Sequence, residues 1–202
     1  VSVFNDGMEA VSGAEGIGKL SAGLCALILI YAAFPIAQVV RSAGDSLAGA
    51  KSSMVDFVFK DLIVASIKVV GHIAALTALF GAICSTVAWI LNGSGMTIGV
   101  EMIGVFDYLY TLPVDAMSAF LGMLGLGFVD VIIGNFMNWD LTGSEVTGYN
   151  PESAVAVGWE FAQVVLILAK LYVVLAFYHF FWGVLNTFFN WIKSPYLPFK
   201  SS

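Results

Sequence analysis

Three long apolar runs, residues 20–40, 62–91 and 159–192, constrain this chain more than any other feature. As a helix rising 1.5 Å per residue, the first run alone reaches about 31 Å, which matches the roughly 30 Å hydrocarbon core of a bilayer. Inside lipid every backbone polar group must be satisfied within the segment, so such runs have to be helices. The expected fold is therefore all-α, a polytopic transmembrane helical bundle.

Composition supports the same solvent. Of 202 residues, 59% are hydrophobic and 11% are charged, against roughly 25% charged in soluble domains. A shell of 8 basic and 14 acidic side chains is too thin to keep a globule of this length in water. High hydrophobicity excludes disorder, and a net charge of −6 gives no basic footprint for direct nucleic-acid binding.

Between the runs, punctuation divides the chain. Residues 1–19 carry Asp6, Glu9 and Glu15 among glycines and read as a polar outer N-terminal segment. Pro35 is expected to kink the first span, and Arg41 closes it. Residues 42–60 read as an interfacial amphipathic helix: Met54, Val55, Val58 and Phe59 share one face, and Asp56 and Lys60 form an i, i+4 pair opposite. Residues 62–91 exceed one untilted crossing and end at Trp89 and the break Asn92-Gly93-Ser94-Gly95.

From residue 98 to 139 the chain is apolar but interrupted. Pro113 splits it into a short piece, 98–111, and a longer helix, 114–138, read as a broken central hairpin. Residues 140–153 form a water-exposed loop, the last span follows from Trp159, and residues 194–202 form a tail. Three firm spans plus the hairpin allow up to five crossings.

Basic residues orient these spans. Arg41, Lys51 and Lys60 cluster in one connection and Lys193 and Lys200 at the C-terminus, while residues 92–158 hold none. The positive-inside rule then puts the 41–60 segment and the C-terminus in the cytoplasm, with the N-terminus and the 140–153 loop outside. The stretch between residues 92 and 158 must cross an even number of times.

Ionisable residues at bilayer depth are the candidates for function, since each costs at least about 2.5–3.5 kcal/mol to insert. Lys68, His72, Asp107, Asp115, Asp130, Lys170 and His179 lie in or beside the apolar segments. Depth along the helices suggests pairs, Lys68 with Asp115 and Asp130 with Lys170; Lys68 and His72 form an i, i+4 cluster. In a second register, the span 171–191 makes Lys170 an interface anchor. These groups are read either as structural ion pairs or as an ion or proton path.

Gly122, Gly125, Gly127 and Gly134 give the central helix small side chains that permit close approach, within one subunit or between subunits. The aromatic residues from Phe177 to Trp191 are expected at lipid and the inner interface. Cys25 and Cys84 fall in apolar runs without metal or redox spacing and should lie at similar depth on antiparallel spans. No nucleophile motif, phosphate loop or zinc motif is present, so no catalytic residue, cofactor or metal is expected.

The kinked first span, the amphipathic entry SSMVDFVFKDLIVASIKVVGHIAAL and the broken central hairpin resemble the VirB6/TrbL class of polytopic inner-membrane proteins of type IV secretion and conjugation machines. That resemblance covers residues 20–91 and rests on topology and the basic-to-apolar entry at Lys60 and Lys68. It implies a conduit or scaffold subunit of the bacterial inner membrane, forming homo- or hetero-oligomers with other membrane subunits in the lipid bilayer. Two other readings fit the same composition: a small ion, proton or solute transporter, and a structural protein of a membrane-containing virus.

Overall fold

The computed structural model describes residues 16–92, 115, 118–123, 125–139, 141 and 145–193, apart from the side chain of Asp130. The N-terminal segment to residue 15, Asp107, the piece 98–111, the break at Pro113 and the tail 194–202 lie outside the described residues. Among those described the protein is helical, without strands, and three helices are long and apolar enough to cross a membrane.

Helix α1 (Ile17–Ala48) passes without interruption through Pro35 and continues beyond Arg41. Past Arg41 it stays exposed, with the Arg41 and Asp45 side chains 3.9 Å apart one turn on from each other. It stops where Gly49 donates its N–H to the Asp45 carbonyl oxygen, 3.2 Å away. The expected amphipathic helix 42–60 is thus divided between two helices. Its second half opens a new one, because Ser53 takes an extended conformation and its hydroxyl accepts the Asp56 N–H at 3.3 Å, a side-chain N-cap.

That new helix, α2 (Met54–Ile90), runs directly into the second span. Its entry, Phe57–Leu62, winds as a π-helix. The wider turn changes which side chains align. Asp56 and Lys60 form no ion pair; the Asp56 carboxylate instead accepts the Ser53 hydroxyl at 2.7 Å.

The expected helix 114–138 is broken. Residues 118–123 are helical, then Gly125 adopts φ +74°, and α3 (Gly127–Met137) begins afresh. Leu126 N–H donates to Leu121 O (2.9 Å) and Gly125 N–H to Gly122 O (3.1 Å), the paired bonds of a Schellman ending. Only a residue without a Cβ takes that left-handed position at no cost, which is what Gly125 does here in place of helix packing.

The last helix, α4 (Pro151–Lys193), starts eight residues ahead of Trp159. Asn150 caps it, its side-chain oxygen accepting the Ser153 N–H at 2.6 Å, with Pro151 at the first helical position and Glu152 in the positive first turn. Residues 151–153 of the expected loop are therefore helix.

Helix α2 is central and packs against both α1 and α4. Its core with α4 is built from Val64, Ile67, Ala74, Ala75, Ile167, Leu171, Val174 and Leu175, and Leu121, Ile133 and Met137 close it from the α3 side. Of the apolar stretch of α1 only 11% is buried, against 44% in α2 and 39% in α4. Helix α1 is thus held along a narrow strip, Ser21, Cys25 and Ala32.

Candidate functional site

The register of α2 on α4 is antiparallel and is clamped at both ends by aromatic rings. At one end Trp89 stacks on Tyr149 (5.1 Å, 18°) and donates its indole N–H to the Asn150 carbonyl at 3.1 Å, while the Asn92 side chain accepts the Tyr149 N–H at 2.9 Å. At the other end Phe59 stacks on Trp182 (5.2 Å, 8°), and the Tyr178 hydroxyl donates to the Phe59 carbonyl in the π-helical turn. Midway, Gly71 lies against Leu171 so closely that a Cβ there would fall 2.5 Å from Leu171 Cδ1. Phe59 to Trp89 is about 45 Å along the helix, close to the roughly 40–45 Å of a bilayer with its headgroups. Tryptophan and tyrosine favour that interfacial depth.

Between the clamps, α4 carries polar residues on its inward face. Ser153, Glu160, Gln163 and Lys170 follow one another at spacings of 7, 3 and 7, the spacing of a helix seam, among buried Ala156, Leu166, Ile167 and Leu171. Each of the first three ties α4 to another segment. Ser153 Oγ accepts the Thr147 N–H at 3.0 Å, Glu160 Oε1 accepts the Ser85 hydroxyl at 3.0 Å, and Gln163 Oε1 accepts the Leu141 N–H at 2.9 Å. Lys170 is 6% exposed near the middle of α4 and is not without a partner.

This site differs from the expected one. Lys170 sits inside the bundle, packed between helices rather than exposed on the surface of α4. Its suggested partner Asp130 is on α3, with a side chain outside the described residues. Lys68 and Asp115 are both exposed and no ion pair joins them: Val64, Ile67 and Gly71 occupy the buried face of α2, which turns Lys68 outward. His72 does not meet the Lys68 side chain either; its Nδ1 donates to the Lys68 carbonyl oxygen at 2.6 Å, one turn back on the same helix. His179 is exposed on an open groove along α4 that runs to Trp191.

Glu160, Gln163 and Ser85 are the residues that sequence reasoning missed. Glu160 stands one place inside the apolar run that begins at Trp159, so its position alone marks it as a charge at helix depth. Gln163 and Ser85 carry no comparable signal, since neutral polar residues are common in spans.

A second polar contact links α1 to α2. Cys25 Sγ lies 3.6 Å from the Cys84 carbonyl oxygen and Cys84 Sγ 3.8 Å from that of Cys25, both thiols free and buried. The expected match in depth is therefore a direct contact.

Of the two packing roles expected for the glycines, contact within one subunit is not seen among the described residues. No described residue lies within 4 Å of where a Cβ would stand on Gly122, Gly125, Gly127 or Gly134; the core-facing residues described in this region are Leu121, Ile133 and Met137. Among the described residues, no group of three or more His, Cys, Asp or Glu side chains is placed to hold a metal, and every buried side-chain nitrogen or oxygen has a hydrogen-bond partner. The chain matches no protein-family model, no curated protein and no solved structure.

Proposed function

We propose that this chain is a non-enzymatic integral membrane subunit of a larger multi-protein assembly, contributing helices rather than chemistry. The observation that carries this reading is the glycine face of the α3 region. Among the described residues, Gly122, Gly127 and Gly134 have nothing packed within 4 Å of where a Cβ would stand, and close helix approach is what small residues favour in a membrane, where lipid supplies no hydrophobic drive between helices. The interior, by contrast, spends its polar groups on ties between its own segments.

Extraction of the native protein with its surrounding lipid, followed by mass measurement, tests the proposal. A complex larger than one chain is expected; a stable lone monomer overturns it. Replacing Gly127 and Gly134 with leucine should break the complex while leaving the unfolding temperature of the single chain within a few degrees.

The resemblance to the VirB6/TrbL class makes a conduit or scaffold of a bacterial inner-membrane secretion machine the finer form of this reading, with the N-terminus outside and the C-terminus cytoplasmic. Single cysteines introduced at Ser46 and at Glu145, with Cys25 and Cys84 replaced, should react with an impermeant maleimide from the cytoplasmic and outer sides respectively. The reverse pattern overturns the orientation.

The inward seam Glu160, Gln163 and Lys170 favours a second reading, an ion or proton transporter. Flux in reconstituted vesicles lost in Lys170→Met and Glu160→Gln supports it, and flux unchanged in both removes it.

A further inference from the structure

We propose that Cys25 and Cys84 are a redox-active pair whose oxidation to a disulfide locks α1 onto α2. The two sulfurs make reciprocal contacts of 3.6 and 3.8 Å with each other's backbone carbonyl oxygens. Such a reciprocal arrangement needs the two backbones side by side. Small residues provide that approach: Ser21 and Ala32 flank Cys25 on the buried strip of α1, and Gly81, Ala82, Ser85 and Ala88 surround Cys84 on α2. Tyr31 meeting Phe80 edge-on at 6.2 Å continues the same antiparallel register. A disulfide requires Cα atoms within about 7 Å and side chains directed at each other, the disposition that close antiparallel helices with facing cysteines supply.

The pair also lies where a covalent link has the most to hold. Helix α1 is the least buried of the three long helices, and its buried residues are Ser21, Cys25 and Ala32 alone. With the thiols reduced, small-residue packing holds it; with the thiols oxidised, the bond encloses the chain from residue 25 to 84 and α1 cannot part from α2. In the reaction both S–H bonds break and one S–S bond forms. Two electrons and two protons pass to a membrane-soluble two-electron acceptor, an azo compound or a quinone, which becomes the hydrazine or the quinol. The exposed side chains Leu24 and Leu27 beside Cys25 put lipid, the phase that carries such an oxidant, next to the pair.

Full-length protein in membranes treated with an azodicarboxamide, then denatured and alkylated with a maleimide, tests the proposal by intact mass. Untreated chain should take up two maleimides. Oxidised chain should take up none, weigh two hydrogens less, run as a monomer on a non-reducing gel and regain both thiols on reduction. Cys25→Ser should keep its one alkylatable thiol through the same treatment, and amide hydrogen exchange in α1 should slow in the oxidised wild type. Two alkylatable thiols after oxidation, a disulfide-linked dimer, or loss of the thiol in Cys25→Ser overturns the pair. Unchanged exchange in α1 overturns the lock.

Discussion

The packing of Leu171 against α2 turns on one glycine. Leu171 is fully buried where Gly71 leaves room for it, so Gly71→Ala has to displace a side chain that has nowhere to go. The expected loss is about 1–3 kcal/mol, typical of overpacking, read as a lower unfolding midpoint in detergent. In a Leu171→Ala background, itself expected to cost about 2–5 kcal/mol through the cavity it leaves, the added methyl should be neutral or stabilising. A penalty undiminished in that background would contradict this packing. Lys170, the next residue along, was legible as a charge at helix depth. Its burial was not, because which face of the last helix turns inward depends on what packs around Leu171, not on the sequence of one helix.

At the scale of elements, the helix ends follow local chemistry. Asn150, Pro151 and Glu152 form a start signal readable from the sequence, yet their polarity also suits a loop; the Asn150 cap and the Trp89 bond to its carbonyl decide for helix. Asn150→Ala should cost about 1 kcal/mol and speed amide exchange in the first turn of α4, with the rest of the helix unchanged. Gly125 is the converse case. Read as a small residue for helix packing, it serves instead as the left-handed end of residues 118–123. Gly125→Ala is expected to cost about 1 kcal/mol, detected as a lower unfolding midpoint, whereas Gly122→Ala at an open helical position should be neutral or slightly stabilising. The π-helical turn at Phe57–Leu62 had no sequence signature, since its widened geometry is bound up with the Tyr178 hydroxyl and the Trp182 ring, more than a hundred residues away.

For the whole molecule, the long helices outrun the membrane they are apolar enough to cross. Helix α4 has 43 residues, about 64 Å at 1.5 Å per residue, roughly twice a hydrocarbon core. With helices this long, the aromatic clamps at Trp89 and Trp182 are the groups expected to set where lipid ends. Trp89→Ala and Trp182→Ala should each let the helix pair slide in depth, so that a cysteine introduced at Glu145 or at Asn186 changes its rate of labelling by an impermeant maleimide. Equal rates in wild type and variants would show that other groups set the depth. Helix α1 is the exception to the clamped arrangement, with most of its apolar surface facing outward.

The sequence by itself determined the solvent, the class of fold and the presence of three long apolar helices, because hydrophobicity over some twenty consecutive residues acts through the bilayer and needs no partner. It also marked Cys25 and Cys84 as neighbours in depth, since distance along an antiparallel helix is simple arithmetic. Only the tertiary structure decided which polar residues meet. Rotation of a helix about its axis is set by packing, and that rotation turned Lys68 outward, drew Lys170 and Glu160 inward, and left the glycines of the α3 region without a described residue packed on them.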